Sequence, residues 1–395
     1  MGLEKRVYLD WAAASPLLPE AKAAMQSFWT ENFGNPGSIH KEGMVAKNAV
    51  FKSRKKIANS LQVRPEMITF TGSGTESNNL SIVGIIDFYK EKRGISYNEM
   101  EVVSTKIEHP SVINVLAYLR TKGIKIKWAQ VNKKGKIDLD YLKNIITDKT
   151  ILFTTSLVNS EVGVIQEISS VRKVISKINI DTIIHVDAAQ APLWLNCQLE
   201  AIKADIMTFD AGKFCGPKAV GFLVRNKRVN LLPVFYGGKQ ESGLRPGTEN
   251  VVGIIGAAEA FVWAQSIDKI ADRARRISEV RDLTIKYINT KISEAVLNGP
   301  DGDGRVANNI NISLPGIDTE FITVVLDKAG FAVSTKSACS GSDTGKSYVV
   351  EEITNNLEVA NSTLRITLGI DTTYSETKSM VDVLRHHLDK TQNFI

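Results

Sequence analysis

The sequence has little cysteine: Cys197, Cys215 and Cys339 are the only three among 395 residues. Three thiols cannot build a disulfide framework, and no C-x-x-C pair suggests a zinc site. No apolar run is long enough to span a bilayer, which argues against a membrane partner. The opening "MGLEKRVYLDWAAAS" lacks an apolar core of the signal-peptide kind and runs into a strand-like "VYLD", so a cytoplasmic protein is expected. Charge of one sign does not gather in blocks. The 49 Lys and Arg are interspersed with 43 Asp and Glu, leaving a net +6, which reads as a solvated mixed surface. Direct nucleic-acid binding is not expected from such a surface. Internal repeats and low-complexity segments are missing too.

What is present alternates. "MITFTGS", "EVVSTKIE", "KIKWAQV", "TILFTTSLV", "TIIHVDAAQ", "DIMTF" and "AVGFLVRN" read as buried strands rich in β-branched residues. Helical patterns such as "TESNNLSIVGIIDFYKEK" and "HPSVINVLAYLRTKG", the latter opening at Pro110, fall between several of them. That order predicts an α/β domain with a mostly parallel sheet covered on both faces. From about Asn250 the texture changes. One long helical stretch without proline, "ENVVGIIGAAEAFVWAQSIDKIADRARRISEVRDLTIKYINTKI", is succeeded by short strands and helices. The division expected is a large α/β domain over 15–260 and a small α+β domain from 1–14 plus 261–395.

Ligands of such sheets bind at the carboxyl ends of the strands. "TGSGTESNN", Thr71 to Asn79, sets glycines and hydroxyls between a strand and a helix start. It reads either as an anion cradle or as a glycine turn capped by Thr75. Asp187 ends the strand in "IIHVDAAQA", with Gln190 just after it. Such an acid either caps the next helix or faces a cationic ring nitrogen. In "TFDAGKFCGPKAVG", Lys213 stands beside Gly212 between two apolar runs, where an amine is costly unless paired or used. A lysine, an acid and a phosphate cradle are together the parts that pyridoxal phosphate requires.

With these residues in view, the chain resembles cysteine desulfurases of the NifS/IscS type, within the class V aminotransferase fold. The stretches that carry the likeness are "FGNPGSIH", "FTGSGTESNN", "IEHPSV", "NSEVGVIQEI", "HVDAAQ", "FCGPKAVG", "GGKQESGLRPGTEN" and "STKSACSGS". The resemblance implies a fold type I, pyridoxal 5'-phosphate-dependent enzyme with a seven-stranded sheet. It makes Lys213 the Schiff-base lysine, Asp187 the partner of the pyridine nitrogen and Gln190 a donor to the ring hydroxyl. His109 matches the imidazole stacked on the ring, although alone it reads as a helix cap before Pro110. Gly74 and Thr75 match phosphate binders. Thr248 matches a phosphate contact reaching the other subunit of a homodimer. Asn35, Asn159 and Arg365 match groups that hold the carboxylate of L-cysteine.

Cys339 matches the nucleophile that carries a persulfide to an iron–sulfur scaffold or sulfur-carrier protein. Its polar, glycine-containing surroundings suit an accessible loop, whereas Cys197 and Cys215 adjoin apolar residues and read as structural. Nearby "SGSDTGKS" would be a P-loop only with glycine at position 340, where Ser340 stands. One stretch departs from the family pattern. Asp210 and Gly212 occupy positions where a serine and a histidine usually contact the phosphate. The departure implies weakened cofactor retention. Either Asp210 pairs with a neighbouring cation, or the phosphate rests on Gly74, Thr75, Thr248 and the helix N-terminus. A class V relative with another substrate, such as selenocysteine, and a weakly active interaction protein are the alternatives left open.

Overall fold

The computed structural model describes residues 6–335 and 345–392. After a short β1 (Val7–Tyr8) come seven strands: β2 (Ile68–Thr71), β3 (Glu101–Thr105), β4 (Lys125–Ala129), β5 (Thr150–Ser156), β6 (Ile183–Asp187), β7 (Ile206–Asp210) and β8 (Gly221–Arg225). They form one sheet in the order β2-β8-β7-β6-β5-β3-β4. All neighbours run parallel except where β8 meets β2 and β7. The exception has a simple cause. The connection 211–220 is too short for a crossover helix, so the strand after β7 returns antiparallel. The expected mostly parallel, seven-stranded sheet is what forms.

Alternation along the central strands sends Leu152, Ile183, Ile206 and Leu223 to one face, against Ile85, Leu116 and Leu119 of the helices Gly74–Arg93 and Pro110–Thr121. Phe153, Ile184, Val186 and Phe209 take the other face, against Val171 and Phe261. Both faces are dry, as the continuous apolar runs require. Each fully buried Leu, Ile or Phe contributes on the order of 1.5–3 kcal/mol.

The long helical stretch is not continuous. It breaks into Val251–Ala264 and Ile267–Lys291, bent by 72°. Gln265 sits at the break, and its side chain accepts from Cys197 N (2.8 Å) and donates to Pro192 O (2.7 Å) and Leu195 O (3.0 Å). Arg273 donates to Ala264 O at 3.2 Å and lies 4.1 Å over the Trp263 ring. Orphaned helix-end carbonyls are therefore satisfied by side chains, which makes a bend cheap without proline. Among the described residues no single helix is long and apolar enough to cross a membrane.

The last strands are β9 (Val296–Leu297), β10 (Asn309–Ser313), β11 (Phe331–Ala332) and β12 (Thr363–Thr367). β12-β10-β9 form an antiparallel sheet, and β1 pairs in parallel with β11. This arrangement brings Arg365 of β12 and the Ala12–Ala13 turn after β1 to the carboxyl edge of the large sheet, where both line one pocket with Asp187 and Lys213.

Candidate active site

A pocket opens at that edge. Gly74, Thr75, His109, Asn159, Asp187, Gln190, Asp210, Lys213 and Arg365 all line it. Distant segments of sequence thus converge on one cavity.

Lys213 is fixed by its neighbours. Phe209 precedes the turn and Phe214 comes just after the lysine, and both are fully buried. Phe209 stacks on Phe222 at 4.7 Å between ring centroids, and Phe214 meets Phe261 edge-on at 5.4 Å. Such pairs contribute about 0.5–1.5 kcal/mol each beyond their buried area. Between these anchors the chain is forced through a tight turn that leaves Cys215 at φ 64, a strained value for a residue with a side chain. The turn is locked by Ser15, whose Oγ accepts from Cys215 N (2.6 Å) and whose N–H donates to Gly212 O (2.8 Å). Lys213 Nζ then donates to Ala12 O (2.9 Å) and Ala13 O (2.6 Å), and Gln190 Nε2 also donates to Ala12 O (2.9 Å). Two carbonyls give the amine a polar seat.

Asp187 ends β6 with its carboxylate held from two sides. Oδ1 accepts from Ala189 N (3.0 Å), and Oδ2 accepts from Asn78 Nδ2 (2.8 Å). The same Asn78 amide donates to Ser111 Oγ (2.8 Å), which lies 2.8 Å from His109 Nδ1. His109 caps the helix beginning at Pro110, its Nδ1 accepting from Ser111 N at 3.1 Å. The capping reading and the ring-stacking role are therefore compatible: the cap fixes the imidazole's orientation and puts any neutral-form proton on Nε2. Asn78 is a residue that sequence reasoning missed. Its signal was an asparagine one turn after Gly74, on a helix face otherwise carrying small and apolar side chains. Asn78 Oδ1 in turn accepts from Thr208 Oγ1 (2.6 Å), which adjoins the buried His185. Burial pushes the His185 pKa down to about 3, so that ring is neutral.

Glu108, next to His109, was also missed. It is fully buried, and Oε1 accepts from Thr105 Oγ1 (2.6 Å) and Thr155 Oγ1 (2.9 Å). Oε2 accepts from Ser156 N (2.6 Å). These bonds tie the His109 loop to the end of β5. Desolvation raises its pKa to about 7 despite three donors, with Asp187 adding to the rise.

The glycine-rich turn is a capped helix start. Ser73, not Thr75, is the N-cap of the helix beginning at Gly74, and its Oγ accepts from Glu76 N (3.1 Å). Asp210 forms no ion pair among the described residues, so of the two alternatives the neighbouring cation is not the one taken. Its Oδ2 accepts from Gly74 N (2.9 Å) and its Oδ1 from Gly212 N (3.0 Å). The helix N-terminus draws the carboxylate because it offers an N–H with no intrahelical partner and the positive end of the dipole. A side chain at Gly74 would place its Cβ 3.0 Å from Asp210 Cβ, a tight contact that would push on the carboxylate's position.

Arg365 is 1% exposed, donates to Asp10 Oδ1 (2.9 Å) and Ser160 O (3.2 Å), and keeps Nε without a partner among the described residues. Ser156 Oγ, in the same pocket, is likewise unpartnered among them. Asn159 spends its side chain on the loop: Nδ2 donates to Ile107 O (2.7 Å), and Oδ1 accepts from Glu161 N (2.9 Å) and Val162 N (3.0 Å).

Asn35 and Thr248 do not join this pocket within one chain. They meet in a second hollow, beside Phe28, Trp29 and Phe33. The segment leading to Thr248 is anchored at Glu241, which pairs with Arg54 at 2.5 Å and accepts from Phe70 N at 2.9 Å. Cys197 and Cys215 are buried, and burial raises both thiol pKa values, that of Cys215 to about 11. Neither is poised as a thiolate nucleophile. Cys339 lies outside the described residues.

The family model for aminotransferase class-V matches residues 7–380. A cysteine desulfurase IscS of Dictyoglomus turgidum is 36% identical over 388 residues, spanning 98% of this chain and 96% of that protein. Another of the same name, from Neisseria gonorrhoeae, is 36% identical over 393 residues, spanning 99% and 94%. Among solved structures, a NifS-like protein superposes with a TM-score of 0.89 at 30% identity, over 97% of this chain and 99% of that one. SspA in complex with cysteine gives 0.77 at 27% identity, over 92% and 98%.

Proposed function

The chain belongs to the class-V aminotransferase family, and on that premise we propose that it is a cysteine desulfurase that uses pyridoxal phosphate. The observation that carries the reading is the convergence of Lys213, Asp187, His109 and Arg365 on one pocket at the strand ends.

The donor set fits the cofactor's ring. Lys213 supplies the amine, Asp187 a carboxylate oriented by Asn78 and Ala189, and His109 an imidazole fixed by its cap. Ser156 and Arg365 line the pocket, and each keeps one buried polar atom, Oγ and Nε, without a partner among the described residues. Bound there, pyridoxal phosphate supplies an electron sink for charge developing at the substrate Cα. Asp187 keeps the proton on the ring nitrogen that this needs. Arg365 orients the substrate carboxylate, with Asp10 holding the guanidinium in place. Lys213 Nζ takes the Cα proton. The thiolate of Cys339 attacks the substrate sulfur: the new S–S bond forms as the Cβ–S bond breaks. The electron pair stays with the carbon fragment, which leaves as alanine after protonation. Cysteine and thiol thus give alanine and a persulfide, which passes to an iron–sulfur scaffold or sulfur-carrier protein. The compartment proposed is the cytoplasm.

Thr248 and Asn35 act across a homodimer in this reading. Support comes from their separation from the main pocket and from large exposed apolar side chains. Trp29 and Phe33 flank their hollow at 63% and 73% exposure, and Tyr236 stands near Thr248 in sequence at 87%. Borohydride reduction of the cofactor-loaded protein, with peptide mapping of the product, should fix the cofactor to Lys213. A label on any other lysine would overturn the assignment.

A further inference from the structure

The cofactor reading leaves one side chain out of place. A phosphate at a helix N-terminus is held by backbone N–H groups and the dipole. In the helix Gly74–Arg93, the Gly74 N–H is bonded to Asp210 Oδ2 (2.9 Å) and the Glu76 N–H to Ser73 Oγ (3.1 Å). Thr75, between them, lines the pocket. Gly212, the other departure from the family pattern, has only its own N–H to offer, and that donates to Asp210 Oδ1 at 3.0 Å. One carboxylate therefore takes the N–H of the altered turn and the first N–H of the helix, the second of which a phosphate at the helix start would otherwise use.

We infer that Asp210 is an internal competitor for the cofactor's phosphate, occupying the anion cup with the chain's own carboxylate. This rests on the cofactor reading above. A phosphate entering the cup meets a fixed negative charge and finds the Gly74 donor engaged, so binding must displace the carboxylate or proceed beside it. The ring end of the site, with Lys213, Asp187 and His109, is untouched by this conflict. Affinity for the ring is therefore kept while the gain from the phosphate is cut. The cofactor is retained mainly through Lys213, and the protein equilibrates readily between loaded and cofactor-free forms. Asp210 sets how strongly the site prefers a phosphorylated ring to an unphosphorylated one.

The test uses cofactor-free protein titrated separately with pyridoxal phosphate and pyridoxal, read by absorbance and protein fluorescence. Wild type is compared with Asp210→Ser and with the isosteric Asp210→Asn, which guards against misfolding. Both variants should bind pyridoxal phosphate about tenfold tighter or more, with pyridoxal affinity unchanged. The cofactor-free Asp210→Ser protein should also melt lower, because it loses the bond to Gly74. Lower stability with higher affinity is the mark of competition; a merely structural carboxylate would lower both. Unchanged or weaker pyridoxal phosphate binding in both variants, with pyridoxal still bound, overturns the competition alone. If wild type and variants bind neither compound, the cofactor reading falls and this inference with it.

Discussion

Asp10 and Arg365 form a 2.9 Å ion pair at the pocket wall, joining the turn after β1 to β12 across most of the chain's length. Desolvation raises the Asp10 pKa, and Arg365 works against that rise. Arg365→Ala would leave a half-buried carboxylate without its cation, at a cost of about 2–3 kcal/mol near pH 7. A raised carboxyl pKa means stability is present at low pH and lost as pH climbs through the folded value. The gap between wild type and variant should therefore narrow near pH 4. Urea unfolding at the two pH values checks this, and a gap that does not change with pH would contradict it.

Glu108 predicts a second pH effect. Its pKa rises from the ordinary 4.5 to about 7, so the folded protein favours the protonated acid. Its contribution is full below about pH 4.5 and is lost as pH rises through 7, a loss on the order of 3 kcal/mol at most. Glu108→Gln should remove that slope, since the hydroxyls of Thr105 and Thr155 can turn to accept from the amide. Thermal melting from pH 5 to 8 should be flatter in the variant; an identical slope would clear Glu108 of the role.

Asn78 positions Asp187 and, through Ser111, His109. Asn78→Ala leaves buried partners unsatisfied, costing about 1–3 kcal/mol in stability. It should also lower kcat for L-cysteine by roughly 10- to 100-fold with little change in KM, because Arg365, the proposed carboxylate site, is untouched. A rise in KM at constant kcat would point elsewhere.

Much of the site was legible in the sequence because its residues sit where the pattern breaks. Asp187 and Asp210 each end an apolar strand, and Lys213 stands between two apolar runs. The antiparallel return of β8 was not legible in the strand's own composition; its signal lay in the short connection 211–220, which leaves no room for a crossover helix. Nor was the break at Gln265, which is made by side-chain bonds to Pro192, Leu195 and Cys197 far along the chain. Asn78, Glu108 and Asp10 act through partners from other elements, so their roles appear only once those elements are packed. Asp210 was visible as an oddity, but its partner, the Gly74 N–H, lies 136 residues away in sequence.

Thr248 should act in trans. Lys213→Ala and Thr248→Ala proteins, each of low activity alone, should regain activity when unfolded and refolded together. The mixed dimer holds one site with both Lys213 and Thr248 intact. No recovery on mixing would mean that Thr248 serves its own chain's site or none.

The most direct test supplies L-cysteine and pyridoxal phosphate and tracks alanine, with sulfide released by a thiol reductant. Wild type should yield alanine and sulfide in equal amounts, with persulfide mapped to Cys339. Cys339→Ser should yield almost none of either while still changing the cofactor's spectrum on adding L-cysteine. Alanine formation that continues undiminished in Cys339→Ser, or wild type that makes none, would contradict desulfuration through a dedicated thiol.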